Sequence, residues 1–177
     1  MVEAIRGRFG GGAMGEATSV RSAAVRVVTA TETYPGSVHE AERVWYDTGL
    51  WPRFIDGLDS VEEVTPNWPG VGAEVRWQSG PAGRGRVVER VVAYELLDGQ
   101  ELEVQDDSIR GRQRVSFTPE NGNVIVELTL RYTLRGRSPL MALVDVLFIR
   151  RAMTTSLRAT LHRFGAELEA ARSGDVG

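Results

Sequence analysis

The sequence predicts an α+β fold: a curved antiparallel sheet of about seven strands, closed by one long C-terminal helix, with two short helices after the first strand. Three observations carry this. Short segments alternate apolar and polar residues with period two from 25 to 136. Every link between the later strands is short, which fits hairpins and excludes parallel crossovers. From Ser138 the apolar spacing switches to a helical period and holds it to about Arg172.

The elements follow in order. Residues 1–22 are rich in Gly, Ala and Ser, without a sustained period, and read as a disordered leader before a domain at 23–173. VRVVTATET at 25–33 is β-branched and alternating, hence a strand. Tyr34-Pro35-Gly36 turns the chain. Ser37 and Glu40 form a Ser-x-x-Glu capping box, and Val38, Ala41, Val44 and Trp45 make one apolar stripe. Gly49 is expected to end that helix, and Pro52 to open a short helical turn through Arg53 to Ile55. Gly57 breaks the turn. LDSVEEV at 58–64, AEVRWQ at 73–78, RGRVVERVVAYE at 84–95, ELEVQD at 101–106, RQRVSF at 112–117 and VIVELTLRYTLRG at 124–136 read as strands. SGPAG at 79–83 and PENG at 119–122 read as hairpin turns. Ser138-Pro139 is an N-cap and first-turn pair. Leu140, Leu143, Val144, Leu147, Leu157, Leu161, Phe164 and Leu168 then mark one face of a helix of about 34 residues, about 50 Å long. A one-faced sheet needs a cover, and this helix can supply it.

Composition narrows the chemistry. The chain has 177 residues, 42% hydrophobic and 25% charged, within the ordinary range for a globular domain. It has no cysteine, so disulfides and thiol catalysis are excluded, and no lysine, so Schiff-base chemistry is too. His39 and His162 are the two histidines, too few for a histidine-rich metal site; both read as surface residues. No cofactor or metal is called for. A net charge of −3 creates no field favouring nucleic acid. LMALVDVLFI at 140–149 is too short to span a bilayer, and the start lacks a signal-peptide core, so a cytoplasmic protein is expected.

The stretch VRVVTATETYPGSVHEAERVWYDTGLWPRFIDGLDSVEEV at 25–64, together with the element order, resembles the START-like or SRPBCC superfamily, of helix-grip fold, and within it the polyketide cyclase/dehydrase type. The resemblance covers about 24–172. Tyr34-Pro35-Gly36-Ser37 departs from the Ala-Pro-Pro or Ala-Pro-Ala frequent there. It implies a cavity between sheet and long helix, with the two short helices plugging one end. Trp45, Trp51, Phe54 and Ile55 would form that plug, either as plain core or as part of a ligand wall. No catalytic residue carries over by position.

Residue logic adds further site candidates. If Val87, Val91 and Ala93 face inward, so does Glu89, where an enclosed carboxylate would be an acid or base; a bulge in that strand would turn it out. Gln113 shares a face with Val115 and Phe117. Asp106 shares one with Leu102 and Val104, although Asp106-Asp107 also reads as hairpin chemistry. Trp77 and Tyr132 lie on apolar strand faces. The helical stripe turns polar at Arg150 and Thr154 before Leu157. Arg150, or its neighbour Arg151, would clamp an anionic oxygen if it faces the cavity, and is solvated if the stripe drifts by one residue. Arg110, Arg112 and Arg114 alternate opposite acidic residues and read as cross-strand pairs on a solvated face.

Three functions fit: binding of an aromatic or lipid-like hydrophobic molecule; a polyketide cyclase or aromatase-dehydrase helped by Glu89 and Arg150; or a protein-interaction module. A homodimer is left open. The first two need a pocket of a few hundred cubic ångströms, and the enzyme needs at least two of Glu89, Gln113, Arg150 and Thr154 in it.

Overall fold

The computed structural model describes residues 24–80, 85–106, 109–134 and 142–174, with side chains from 149 onward in the last segment. The expected leader, the Ser138-Pro139 cap, Leu140, Asp107 and most of the 79–83 turn lie outside the described residues, as do the side chains of Leu143, Val144 and Leu147.

The order is β1 (Arg26–Pro35), α1 (Val38–Trp45), α2 (Trp51–Phe54), β2 (Leu58–Val64), β3 (Glu74–Ser79), β4 (Arg86–Glu95), β5 (Gly99–Gln105), β6 (Ile109–Glu120), β7 (Asn123–Leu134) and α3 (Ala142–Gly174). One seven-stranded sheet runs β1-β7-β6-β5-β4-β3-β2, with every neighbouring pair antiparallel. The strands adjacent in sequence at its start, β1 and β2, are therefore its two opposite edges. The α1–α2 segment joins them, and both helices pack on α3. The buried side chains of the curved sheet, including Val75, Trp77, Val87, Leu102, Val115, Val126, Leu128 and Leu130, meet Leu157, Leu161, Phe164 and Leu168 of α3 in one core.

Local chemistry accounts for the ends. The capping box forms as expected: the Glu40 amide donates to Ser37 Oγ at 3.2 Å, and the Ser37 amide donates to Glu40 Oε2 at 2.7 Å. Helix α1 stops at Trp45, four residues before Gly49. The Asp47 carboxylate accepts from the Gly49 amide at 3.0 Å, and this side-chain turn competes with a further helical turn. Between β6 and β7, Asn121 and Gly122 have φ of 48° and 79°, the two left-handed positions of a tight hairpin. Strand β6 is longer than the expected 112–117 because β7 offers ladder partners from Leu134 back to Asn123.

Strand β4 carries the feature that decides the site. Its register shifts between Val91 and Ala93. Val87, Glu89 and Val91 point inward, and after the bulge Ala93 is exposed while Tyr94 is half-buried. The expectation that Ala93 faces inward is thus corrected, because one extra residue inverts the parity of everything beyond it. Glu89 lies before the bulge and stays inside.

On the outer face, Arg112 pairs with Glu101 at 3.1 Å and Glu103 at 3.4 Å, and Arg114 with Asp98 at 2.7 Å. These are exposed cross-strand pairs of small energetic weight.

Candidate functional site

A recess lies between the inner sheet face, the two short helices and the middle of α3. The plug contributes Trp45 from α1, Trp51 from α2, and Ile55 and Asp56 after it. The sheet contributes Trp77, Glu89, Leu102, Gln113 and Leu128, one residue from each of β3 to β7. Helix α3 contributes Ser156, Leu157 and Thr160. The recess with its open mouth measures about 490 Å³, of which about 30 Å³ admits the centre of a water-sized molecule. That inner room holds about two waters. The enclosed room thus falls short of the few hundred cubic ångströms expected from the sequence, and a larger guest requires the surrounding side chains to part.

The mouth is tied. The Asp56 amide donates to Thr160 Oγ1 at 3.0 Å, and the Asp56 carboxylate pairs with Arg163 at 3.1 Å. Both bonds join the end of α2 to α3. The plug is cross-linked within itself: the Trp51 indole N–H donates to the Trp45 carbonyl at 2.8 Å, and Trp45 packs on Phe54 and Phe164 with ring centres 5.5 and 5.3 Å apart.

Of the residues singled out in the sequence, Trp45, Trp51, Ile55, Trp77, Glu89, Gln113 and Leu157 border this one recess. Glu89 is only 6% exposed. Six others do not border it. Phe54 is wholly buried behind Trp45. Tyr132 is buried on β7, its hydroxyl without a partner among the described residues; burial raises its pKa, and the charges of Arg26 and Arg150 pull it back. Arg150 is exposed, as is Arg151, and Thr154 donates its hydroxyl to the Arg150 carbonyl at 2.9 Å. The reason is phase: the buried line on α3 runs back from Leu157 through Met153 and Ile149, which pack on the core. Arg150 stands one residue, or about 100°, off that line. Asp106 is buried but serves the β5–β6 hairpin, accepting from the Ile109 amide at 2.8 Å.

Sequence reasoning does not single out Asp56, Ser156 and Thr160. Ser156 and Thr160 are four apart beside Leu157, so small polar residues on the buried side of an amphipathic helix are the available signal. Asp56 has none, because it reaches the recess only through the fold of the plug.

Solved structures share the fold. TTHA0849 from Thermus thermophilus is similar over 82% of this chain and 99% of its own, at 20% identity and a TM-score of 0.69. The Zhui aromatase/cyclase from Streptomyces sp. R1128 is similar over 82% and 94%, at 15% identity and a TM-score of 0.67. Norcoclaurine synthase from Thalictrum flavum is similar over 85% and 98%, at 12% identity and a TM-score of 0.65. Among curated protein sequences, none matches the chain. A family model covers residues 25–169, most of the chain, so the chain belongs to the polyketide cyclase / dehydrase and lipid transport family, on the START-like helix-grip fold.

Proposed function

We propose that the protein binds a hydrophobic small molecule, aromatic or lipid-like, in the recess between sheet and α3. The observation that carries this is the convergence of three indoles and four aliphatic side chains on one recess, with five polar residues set among them. Family membership supports it. Entry of a guest parts the Asp56–Thr160 and Asp56–Arg163 ties. Native mass spectrometry of the freshly expressed protein, followed by denaturing extraction, tests the proposal. A copurifying organic molecule is expected; an adduct-free spectrum, together with no change in tryptophan emission on titration with apolar aromatics or lipids, would refute it.

A second reading has its own support. Glu89 and Gln113 both border the recess, and a buried carboxyl group beside a substrate space is suited to moving a proton during cyclisation or dehydration. In this reading the recess folds the substrate and Glu89 supplies acid/base help. Arg150, outside the recess, takes no direct part. Conversion of a polyketide-type substrate that is lost in Glu89→Gln while binding persists would favour the enzyme over the carrier.

A further inference from the structure

We infer that the outer face of the sheet carries a binding site for a phosphate monoester, held between Arg110 and Arg131 beside Arg112. The site lies on the opposite face of the sheet from the recess and is independent of the binding reading above.

The strand register brings the three arginines together. Arg112 on β6 stands directly across from Arg131 on β7. Arg110 is two residues from Arg112 on the same face, diagonal to Arg131. Opposed side chains have Cβ atoms about 5 Å apart and diagonal ones about 7–8 Å, within reach of long side chains. Like charges in opposed positions are unfavourable.

Two of the three have no counter-charge. The other cross-strand neighbour of Arg131 is Val27, and its diagonals on β6 are Arg110 and Arg114. The cross-strand neighbours of Arg110 are Gln105 and Thr133. Glu103, diagonal to Arg110, already pairs with Arg112 at 3.4 Å. Arg110 and Arg131 are exposed, and neither has an ion pair among the described residues. The outer-face arginines of β3 and β4 differ: Arg76 pairs with Glu63 at 2.7 Å, Arg86 with Glu62 at 2.8 Å and Arg90 with Glu74 at 3.2 Å.

Two uncompensated positive charges match a dianion. A phosphate monoester carries close to two negative charges near neutral pH, because its second pKa is about 6. Its oxygens accept paired N–H bonds from guanidinium forks. A carboxylate brings one charge and leaves one arginine open. An open hollow adjoins the three side chains, and about 230 Å³ of it admits the centre of a water-sized molecule. Val25 on its border and Val27 beside Arg131 are 66% and 45% exposed. They offer an apolar shoulder to the organic part of an ester.

The test is isothermal titration of the full chain, at fixed ionic strength, with inorganic phosphate, phenyl phosphate and benzoate. Wild type should bind phosphate, bind phenyl phosphate more tightly, and bind benzoate at least about tenfold more weakly than phenyl phosphate. Arg110→Gln and Arg131→Gln should each weaken phosphate about tenfold, the scale of a hydrogen bond to a charged group, and Arg90→Gln by less than about twofold. Arg131→Glu should end binding while holding stability in phosphate-free buffer, which separates loss of the site from loss of the fold. Cosedimentation with vesicles of phosphatidic acid and phosphatidylcholine names the source. Capture of wild type but not of Arg131→Gln assigns the phosphate to a lipid headgroup; binding of phenyl phosphate without capture assigns it to a free ester. Absence of phosphate binding at millimolar concentration would overturn the inference. Equal affinity for benzoate and phenyl phosphate would do the same, as would an equal loss in Arg90→Gln, which marks diffuse charge in place of a site.

Discussion

Replacing Gly165 by alanine tests how α3 is held over the recess. In an ordinary exposed helix this change is favourable by about 1 kcal/mol, because alanine loses less backbone freedom on folding. Here a Cβ on Gly165 would sit 2.6 Å from Cε1 and 3.0 Å from Cδ1 of Tyr34. Tyr34, near the end of β1, lays its ring on that bare spot of the helix. Its hydroxyl donates to the Leu161 carbonyl at 2.6 Å, and its ring meets Phe164 edge-on at 5.5 Å. Displacing the ring breaks the hydrogen bond, at about 1–3 kcal/mol, and the edge contact, at about 0.5–1.5 kcal/mol. Tyr34 is only half-buried, so water can partly replace the lost bond and the lower ends apply. These lower ends sum to about 1.5 kcal/mol and exceed the helix gain of about 1 kcal/mol. A net loss of about 0.5 kcal/mol follows, or about 1–2 °C in Tm for a domain of this size. Urea denaturation and calorimetry of Gly165→Ala measure it. In a Tyr34→Ala background the same change should become neutral or stabilising, since the obstructing ring is gone. A Gly165→Ala protein as stable as wild type, or more stable, would refute the contact as the anchor of α3.

Three further outcomes are expected. Burial, the strongest influence on Glu42, raises its carboxyl pKa, against the lowering effect of the Leu97 amide that it accepts from. The folded chain therefore holds that proton more tightly than the unfolded chain, so stability from this group is full at low pH and falls as the pH climbs through the raised value. Glu42→Gln should thus be more stable than wild type at pH 7 and show no such advantage at pH 3 in paired urea titrations. Ser37→Ala removes the acceptor of the Glu40 amide and should cost about 1 kcal/mol by thermal denaturation, with Ser37→Asp retaining most of the stability. Thr160→Val deletes the acceptor of the Asp56 amide at the mouth; it should lower stability by about 1 kcal/mol and speed the entry of an apolar fluorescent probe in stopped flow, and an unchanged entry rate would remove the tie from the path.

The fold class, element order and capping box were legible from residue periods, because strand alternation, helical spacing and turn chemistry are properties of neighbours along the chain. So was the shared face of Val87, Glu89 and Val91, as parity propagates along a strand until a bulge interrupts it. Where the bulge falls depends on pairing with β5, and only the tertiary structure put it beyond Glu89, turning Ala93 out and leaving the carboxylate in. The same division holds on α3: a helical stripe was plain, but its angular phase came from packing of Ile149 and Met153 on the core, which set Arg150 outside. Asp56 joined the site through a loop whose path no local pattern encodes. The size of the recess likewise depends on distances between residues far apart in sequence, and those exist only once sheet, plug and helix have closed on one another.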